Sequence, residues 1–215
     1  MESTSIVGLG AGGHGRVIAD ILLRSSIYNL TTWLDQDTKL HGTEVYGVKV
    51  IGDDTMLSEI QASGINHAFI GVGSTGDTNI RRQIAAHITA IGMTLPMICD
   101  PSSTLSQSAE IESGVCIFPH AIINPNCKIG ACAIVNTRAT LEHDCTVGKF
   151  AHLAPSSTVG GNCKIGDGAH IGIGATIKEN ISIGSNAIVG AGAVVVSDVA
   201  PGTTVTGIPA KIHKH

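Results

Sequence analysis

The chain has 215 residues, with 13 Lys and Arg against 17 Asp and Glu for a formal net charge of −4. That balance gives no support to a nucleic-acid or anionic-membrane partner, which would call for a basic stripe. Hydrophobic residues reach 43%, which excludes a disordered chain, while only 3% are aromatic and 27 are glycine.

The first part of the chain alternates strand-like and helix-like stretches. Ser5–Gly10 reads as a buried strand, and Val17, Ile18, Ile21 and Leu22 follow at helical spacing. Leu30–Leu34 reads as a second strand ending at Asp35, and Asp53 is placed to cap a helix carrying Met56, Leu57 and Ile60. Ala68–Gly73 reads as a third strand, and Ile80, Ile84, Ile88 and Ile91 mark one face of a helix stopped by Gly92. This order predicts an α/β domain over residues 1–98, a small Rossmann-like parallel sheet with helices on its faces.

Residues 99–215 follow a different period. From Leu105 to Val195 every sixth residue is Ile, Val or Leu, sixteen positions without a miss. Four residues after each comes a mostly small residue, as at Ala109, Ala121, Ala133, Ala151, Ala169 and Ala187. Such six-residue repeats predict an all-β parallel β-helix. Three hexads make one triangular coil of eighteen residues, and sixteen give a prism on the order of 25 Å long. Stacked aliphatic rows account for the missing aromatics, and tight corners are expected to account for much of the glycine. The period leaves the hand of the coil open. Cys127, Cys145 and Cys163 are eighteen apart, so they are expected to stack inside the prism as free, buried thiols. No apolar run approaches a membrane-spanning length, and the start, Met1-Glu-Ser-Thr-Ser, has no basic leader, which predicts a cytoplasmic protein with no membrane partner.

Three stretches resemble the NeuD/PglD-type sugar acetyltransferases of bacterial surface-glycan synthesis, a branch of the hexapeptide-repeat acyltransferases. They are Gly10-Ala-Gly-Gly-His-Gly-Arg16, Asn136-Thr-Arg-Ala-Thr-Leu-Glu-His-Asp144 and Gly207-Ile-Pro-Ala-Lys211. The resemblance implies a left-handed β-helix, a homotrimer, and acetyl-CoA as co-substrate. It also implies acetylation of the amine of a nucleotide-linked amino sugar, most often a 4-amino-4,6-dideoxy sugar. A smaller branch acetylates a sialic-acid hydroxyl. A non-catalytic trimer that binds a sugar nucleotide is the alternative outside the enzymes.

Gly8-Leu-Gly10-Ala-Gly-Gly13 fits G-x-G-x-x-G between a strand and a helix, with Asp35 about twenty residues on. Alone it reads as a dinucleotide loop or as a bare tight turn. The resemblance implies a third reading, in which Gly12, Gly13 and His14 meet the diphosphate and sugar of the substrate. On that reading Asp35 and Gln36 face base and ribose, and Gly73 lets the third strand come close.

Of the histidines, His41, His67 and His87 read as surface or loop residues, and His213 and His215 as a frayed tail. His152 and His170 stand eighteen apart in one column. Zinc ligation of the γ-carbonic-anhydrase type needs a His-x4-His pair, which the coil lacks, so no metal is expected. His143 is either a structural histidine or, as the resemblance implies, the general base, with Asp144 orienting it. An imidazole titrates near neutrality, which suits removal of the proton an amine sheds as it attacks a thioester. No nucleophile motif adjoins it, so direct transfer is expected. By resemblance His152 meets the acetyl end of acetyl-CoA, the column Pro155, Ile173 and Ala191 lines the pantetheine groove, and Lys211 meets a CoA phosphate.

Overall fold

The computed structural model describes residues 3–213. The chain forms two compact units: the first runs to Gly73 and resumes over Asn79–Pro101, and the second takes Ser74–Thr78 and everything from Ser102 onward. The short segment Ser74–Thr78 thus belongs with the repeats, although it lies in the middle of the α/β sequence.

In the first unit β1 (Thr4–Leu9) is an interior strand, with Ile6 and Val7 fully buried. It pairs in parallel with β2 (Tyr28–Leu34). Between them α1 (Gly13–Ser25) buries Ile18, Ala19, Ile21 and Leu22. A hairpin follows, β3 (Glu44–Val45) with β4 (Val48–Gly52), and β4 adds in parallel to β2. Its turn residues Tyr46 and Gly47 have φ of 54° and 71°. Tyr-Gly is not a usual hairpin signal, which is why the alternation along the chain does not reveal this pair. Asp53 caps a short 3₁₀ turn through Thr55 N–H and leads into α2 (Leu57–Ala62). The sheet closes with β5 (His67–Ile70) in the order β3-β4-β2-β1-β5, and α3 (Asn79–Ala90) comes after it.

Two sequence expectations need correction here. The third strand ends at Ile70, short of Gly73, and the tight packing within the unit is at Gly71, where a Cβ would strike the Gly10 carbonyl oxygen. A Cβ at Gly73 would sit 3.5 Å from His14, an ordinary contact. The buried face of α3 is Arg81, Ala85 and Ile88, whereas Ile80 is 59% exposed.

The second unit is a parallel β-helix of two-residue strands. Each strand pairs with the one eighteen residues on, as Thr140–Leu141 does with Thr158–Val159. Fourteen of the sixteen aliphatic positions, Ile117 to Val195, are at most 2% exposed, while Leu105 and Ile111 at the open end are partly exposed. Cys127, Cys145 and Cys163 are buried and free. Their Sγ atoms donate to the carbonyls of Glu142, Gly160 and Lys178 at 3.0–3.1 Å.

The glycines have a different cause from the expected one. Every sixth residue from 114 to 192 has positive φ, yet most of these corners are not glycine; Asn126, Asp144 and Asn162 are examples. The glycines that directly follow strands are required by stacking: a Cβ at Gly172 would lie 2.6 Å from the Ala191 nitrogen of the next coil. Coil spacing, more than corner conformation, therefore sets the glycine content.

Candidate active site

His143 and Asp144 occupy the edge of the prism between strands Thr140–Leu141 and Thr146–Val147. Asp144 takes the corner conformation with φ 59°, and its N–H donates to the Pro125 carbonyl one coil below. This backbone setting turns its carboxylate back toward the preceding residue. His143 Nδ1 donates to Asp144 Oδ2 at 2.8 Å, and Asp144 Oδ1 accepts from the Asn126 side-chain amide at 3.0 Å. Both side chains are about half exposed. The hydrogen bond to the Asp144 carboxylate raises the His143 pKa above the ordinary imidazole value. The same bond, followed by that from Asn126, lowers the Asp144 pKa. With Nδ1 committed as donor, Nε2 is left as the proton acceptor. The thiols of Cys127 and Cys145 are fully buried and cannot compete as nucleophiles.

His152 is only 7% exposed, and both of its nitrogens are engaged. Nδ1 donates to the Ser74 carbonyl at 2.7 Å, and Nε2 accepts from the Asn136 amide at 2.9 Å. The Asn136 oxygen in turn accepts from Thr137 N–H at 2.7 Å. The His152 ring stands edge-on to His170 at 5.0 Å. Asn136 is the residue that holds His152, a role visible only once the coil stacks position 136 beside position 152. Pro155, Ile173 and Ala191 lie on a different edge, the one leading into strand Thr158–Val159, and Ile173 is 60% exposed. Lys211 is exposed in the final strand, Lys211–Ile212, which pairs with Thr204–Thr206.

In the first unit the glycines of the loop divide by function. Gly8 makes room for the Trp33 ring, which packs edge-on to Phe69, and a Cβ at Gly15 would strike the Gly10 carbonyl. Gly12 and Gly13 differ: a Cβ at either would meet nothing within 4 Å. They open the N-terminus of α1, where Gly12 is the cap and provides no side-chain hydrogen bond. His14 lies in the first turn beside Gly73. Asp35 braces this loop, with Oδ2 accepting from Ala11 N–H at 2.7 Å and Oδ1 from Asp37 N–H at 2.8 Å. His41 also has a partner, the Asp35 carbonyl at 2.8 Å. A cavity of about 570 Å³ opens here, with Leu34, Asp35, Gln36, Asp54, Ile80 and Ile84 in its wall. Gln36 donates its amide to Asp54 across that wall. The apolar face of α3 that the repeat of isoleucines marks therefore lines a cavity. Among the described residues no three His, Cys, Asp or Glu side chains come together as a metal site.

An α/β unit joined to a six-residue coil with a histidine–carboxylate pair on its edge defines a hexapeptide-repeat transferase. The model of the PglD N-terminal domain matches residues 5–88, and that of the bacterial transferase hexapeptide (six repeats) matches residues 162–197. Among solved structures, a histidine-to-asparagine variant of perosamine N-acetyltransferase from Caulobacter crescentus, in complex with CoA and GDP-perosamine, is 32% identical. It aligns over 98% of this chain and 97% of its own with a TM-score of 0.91. The acetyltransferase domain of PglB from Neisseria gonorrhoeae, in complex with acetyl coenzyme A, is 36% identical over 98% and 100% of the chains, TM-score 0.90. WeeI from Acinetobacter baumannii is 29% identical over 98% and 100%, TM-score 0.85. Comparison with curated proteins gives no match. The chain belongs to the NeuD/PglD-type sugar acyltransferases, and its coil is a left-handed parallel β-helix.

Proposed function

We propose that the protein transfers the acetyl group of acetyl-CoA to the amine of a nucleotide-linked amino sugar, in the assembly of a surface glycan. The observation that carries this reading is the His143–Asp144 pair, with Nδ1 bonded at 2.8 Å and Nε2 left to accept a proton. The neutral amine attacks the thioester carbonyl and forms the C–N bond. His143 Nε2 takes the proton that the nitrogen sheds, and the C–S bond breaks with CoA leaving as thiolate. The imidazolium formed is stabilised by Asp144 and can return its proton to the departing sulfur. Transfer is direct, because the buried Cys127 and Cys145 offer no acyl carrier.

The first unit is the sugar-nucleotide domain on this reading. Gly12, Gly13 and His14 meet the diphosphate, since the helix terminus there is open and its N–H groups favour an anion. Asp35 holds the loop, and Asp35 with Gln36 borders the cavity that takes base and ribose. The second unit binds acetyl-CoA along Ile173 and Ala191, with His152 toward the acetyl end and Lys211 toward a phosphate.

His143 and the Ile173–Ala191 column stand on different edges of one prism. One histidine edge and one CoA edge meet only if prisms pack side by side, which supports a homotrimer with three shared sites. A cytoplasmic location is supported by six free cysteines, the state of a reducing compartment. Among the described residues no helix is long and apolar enough to cross a membrane.

The test is acetyl-CoA consumption against a panel of nucleotide-linked amino sugars. An amide product withstands hydroxylamine, whereas a sialic-acid ester is cleaved by it. No consumption with any amino or hydroxy sugar would leave only the scaffold.

A further inference from the structure

We propose that Gly161 is a positioning residue for His143: it leaves the space over which the imidazole lies, and any side chain there displaces the ring. Gly161 follows His143 by one coil on the same edge. A Cβ built on it would stand 2.8 Å from both Cε1 and Nε2 of His143, with Cδ2 at 3.3 Å. All three nearest atoms belong to that ring. The glycines that directly follow strands are different, because a Cβ at Gly130, Gly160 or Gly166 would run into backbone of the next coil.

Nor does the backbone require glycine at this position, since Gly161 is not among the residues of positive φ. Asn162 beside it takes the corner conformation and donates its amide to Asn180 at 2.8 Å, which stitches the next coil in place. The fold therefore tolerates a methyl group at 161 and the imidazole does not. His143 is 60% exposed, so the ring has solvent to swing into. Swinging breaks the Nδ1 bond to Asp144 and turns Nε2 away from its present direction. The inference rests on the proposed role of His143 only for its kinetic consequence; the ring displacement is independent of it.

Gly161→Ala tests this with two readouts. The His143 resonances, titrated by NMR, should give a lower pKa than in the unsubstituted protein, as the Asp144 contact is lost, with Tm unchanged. In the acetyl-transfer assay kcat should fall roughly tenfold to a hundredfold, part of what a positioned base contributes, with both KM values unchanged. In a His143→Ala background the same substitution should have no further effect. An unchanged His143 titration would overturn the proposal, as would an additional loss in the His143→Ala background. Absence of acetyl transfer in the unsubstituted protein would instead overturn the enzymatic reading, and the titration would still report on Gly161.

Discussion

Asn126 donates its side-chain amide to Asp144 Oδ1 at 3.0 Å from exactly one coil below, and so fixes the carboxylate whose other oxygen holds His143. Aspartate has a shorter reach than glutamate. The corner backbone and the Asn126 bond bring its Oδ2 within 2.8 Å of Nδ1 all the same.

His143→Ala is expected to lower kcat by roughly 10²–10⁴-fold, the usual contribution of a positioned general base. Acetyl-CoA binding, measured by calorimetry, should be retained because the proposed groove lies on another edge. Near wild-type turnover by a folded variant would assign proton removal to a different group. His152 is poorly placed to supply it, since its Nε2 is already an acceptor from Asn136.

The pH dependence follows from the same pair. A base works only when neutral, so kcat/KM should rise as pH climbs through the His143 pKa. Asp144 raises that pKa, which puts the inflection above the ordinary imidazole value. Asp144→Asn removes the negative charge and should move the inflection down, with a smaller loss of kcat than His143→Ala. A profile that does not move would remove Asp144 from the mechanism.

The loop glycines should separate binding from folding. Gly13→Leu projects into open space, so Tm should hold. Affinity for the sugar nucleotide should fall by about tenfold or more, the scale of one lost hydrogen bond to a charged group. Gly15→Ala collides with the Gly10 carbonyl and should destabilise by roughly 1–3 kcal/mol, as overpacking does. Equal loss of sugar-nucleotide and CoA affinity in Gly13→Leu would point to a folding defect instead.

Shared sites make a prediction about mixtures. Light scattering should give a trimer, and neither His143→Ala nor Ala191→Trp homotrimers should be active. Unfolding and refolding the two together should restore roughly a quarter of the sites, those in which an intact histidine edge meets an intact CoA edge. Inactive mixed trimers would place the whole site within one chain.

The sequence alone determined the coil, because a period of six in side-chain volume follows directly from burial: one inward aliphatic residue recurs in the strand on each side of the triangular coil. It also determined the α/β alternation, and Glu142-His143-Asp144 is the stretch that carries the proposed chemistry. Only the tertiary structure decided which atoms each residue meets. Stacking brings position i against position i+18, as with Asn126 and Asp144 or His143 and Gly161, and brings Asn136 against His152 sixteen residues on; these pairs are far apart in the chain and adjacent in space. The same holds in the first unit, where the motif glycines look alike as letters. Trp33 and the Gly10 carbonyl claim the space at Gly8 and Gly15, and nothing claims it at Gly12 and Gly13. Local pattern records what must be buried; which neighbour fills the remaining volume is fixed only when strands and coils are packed.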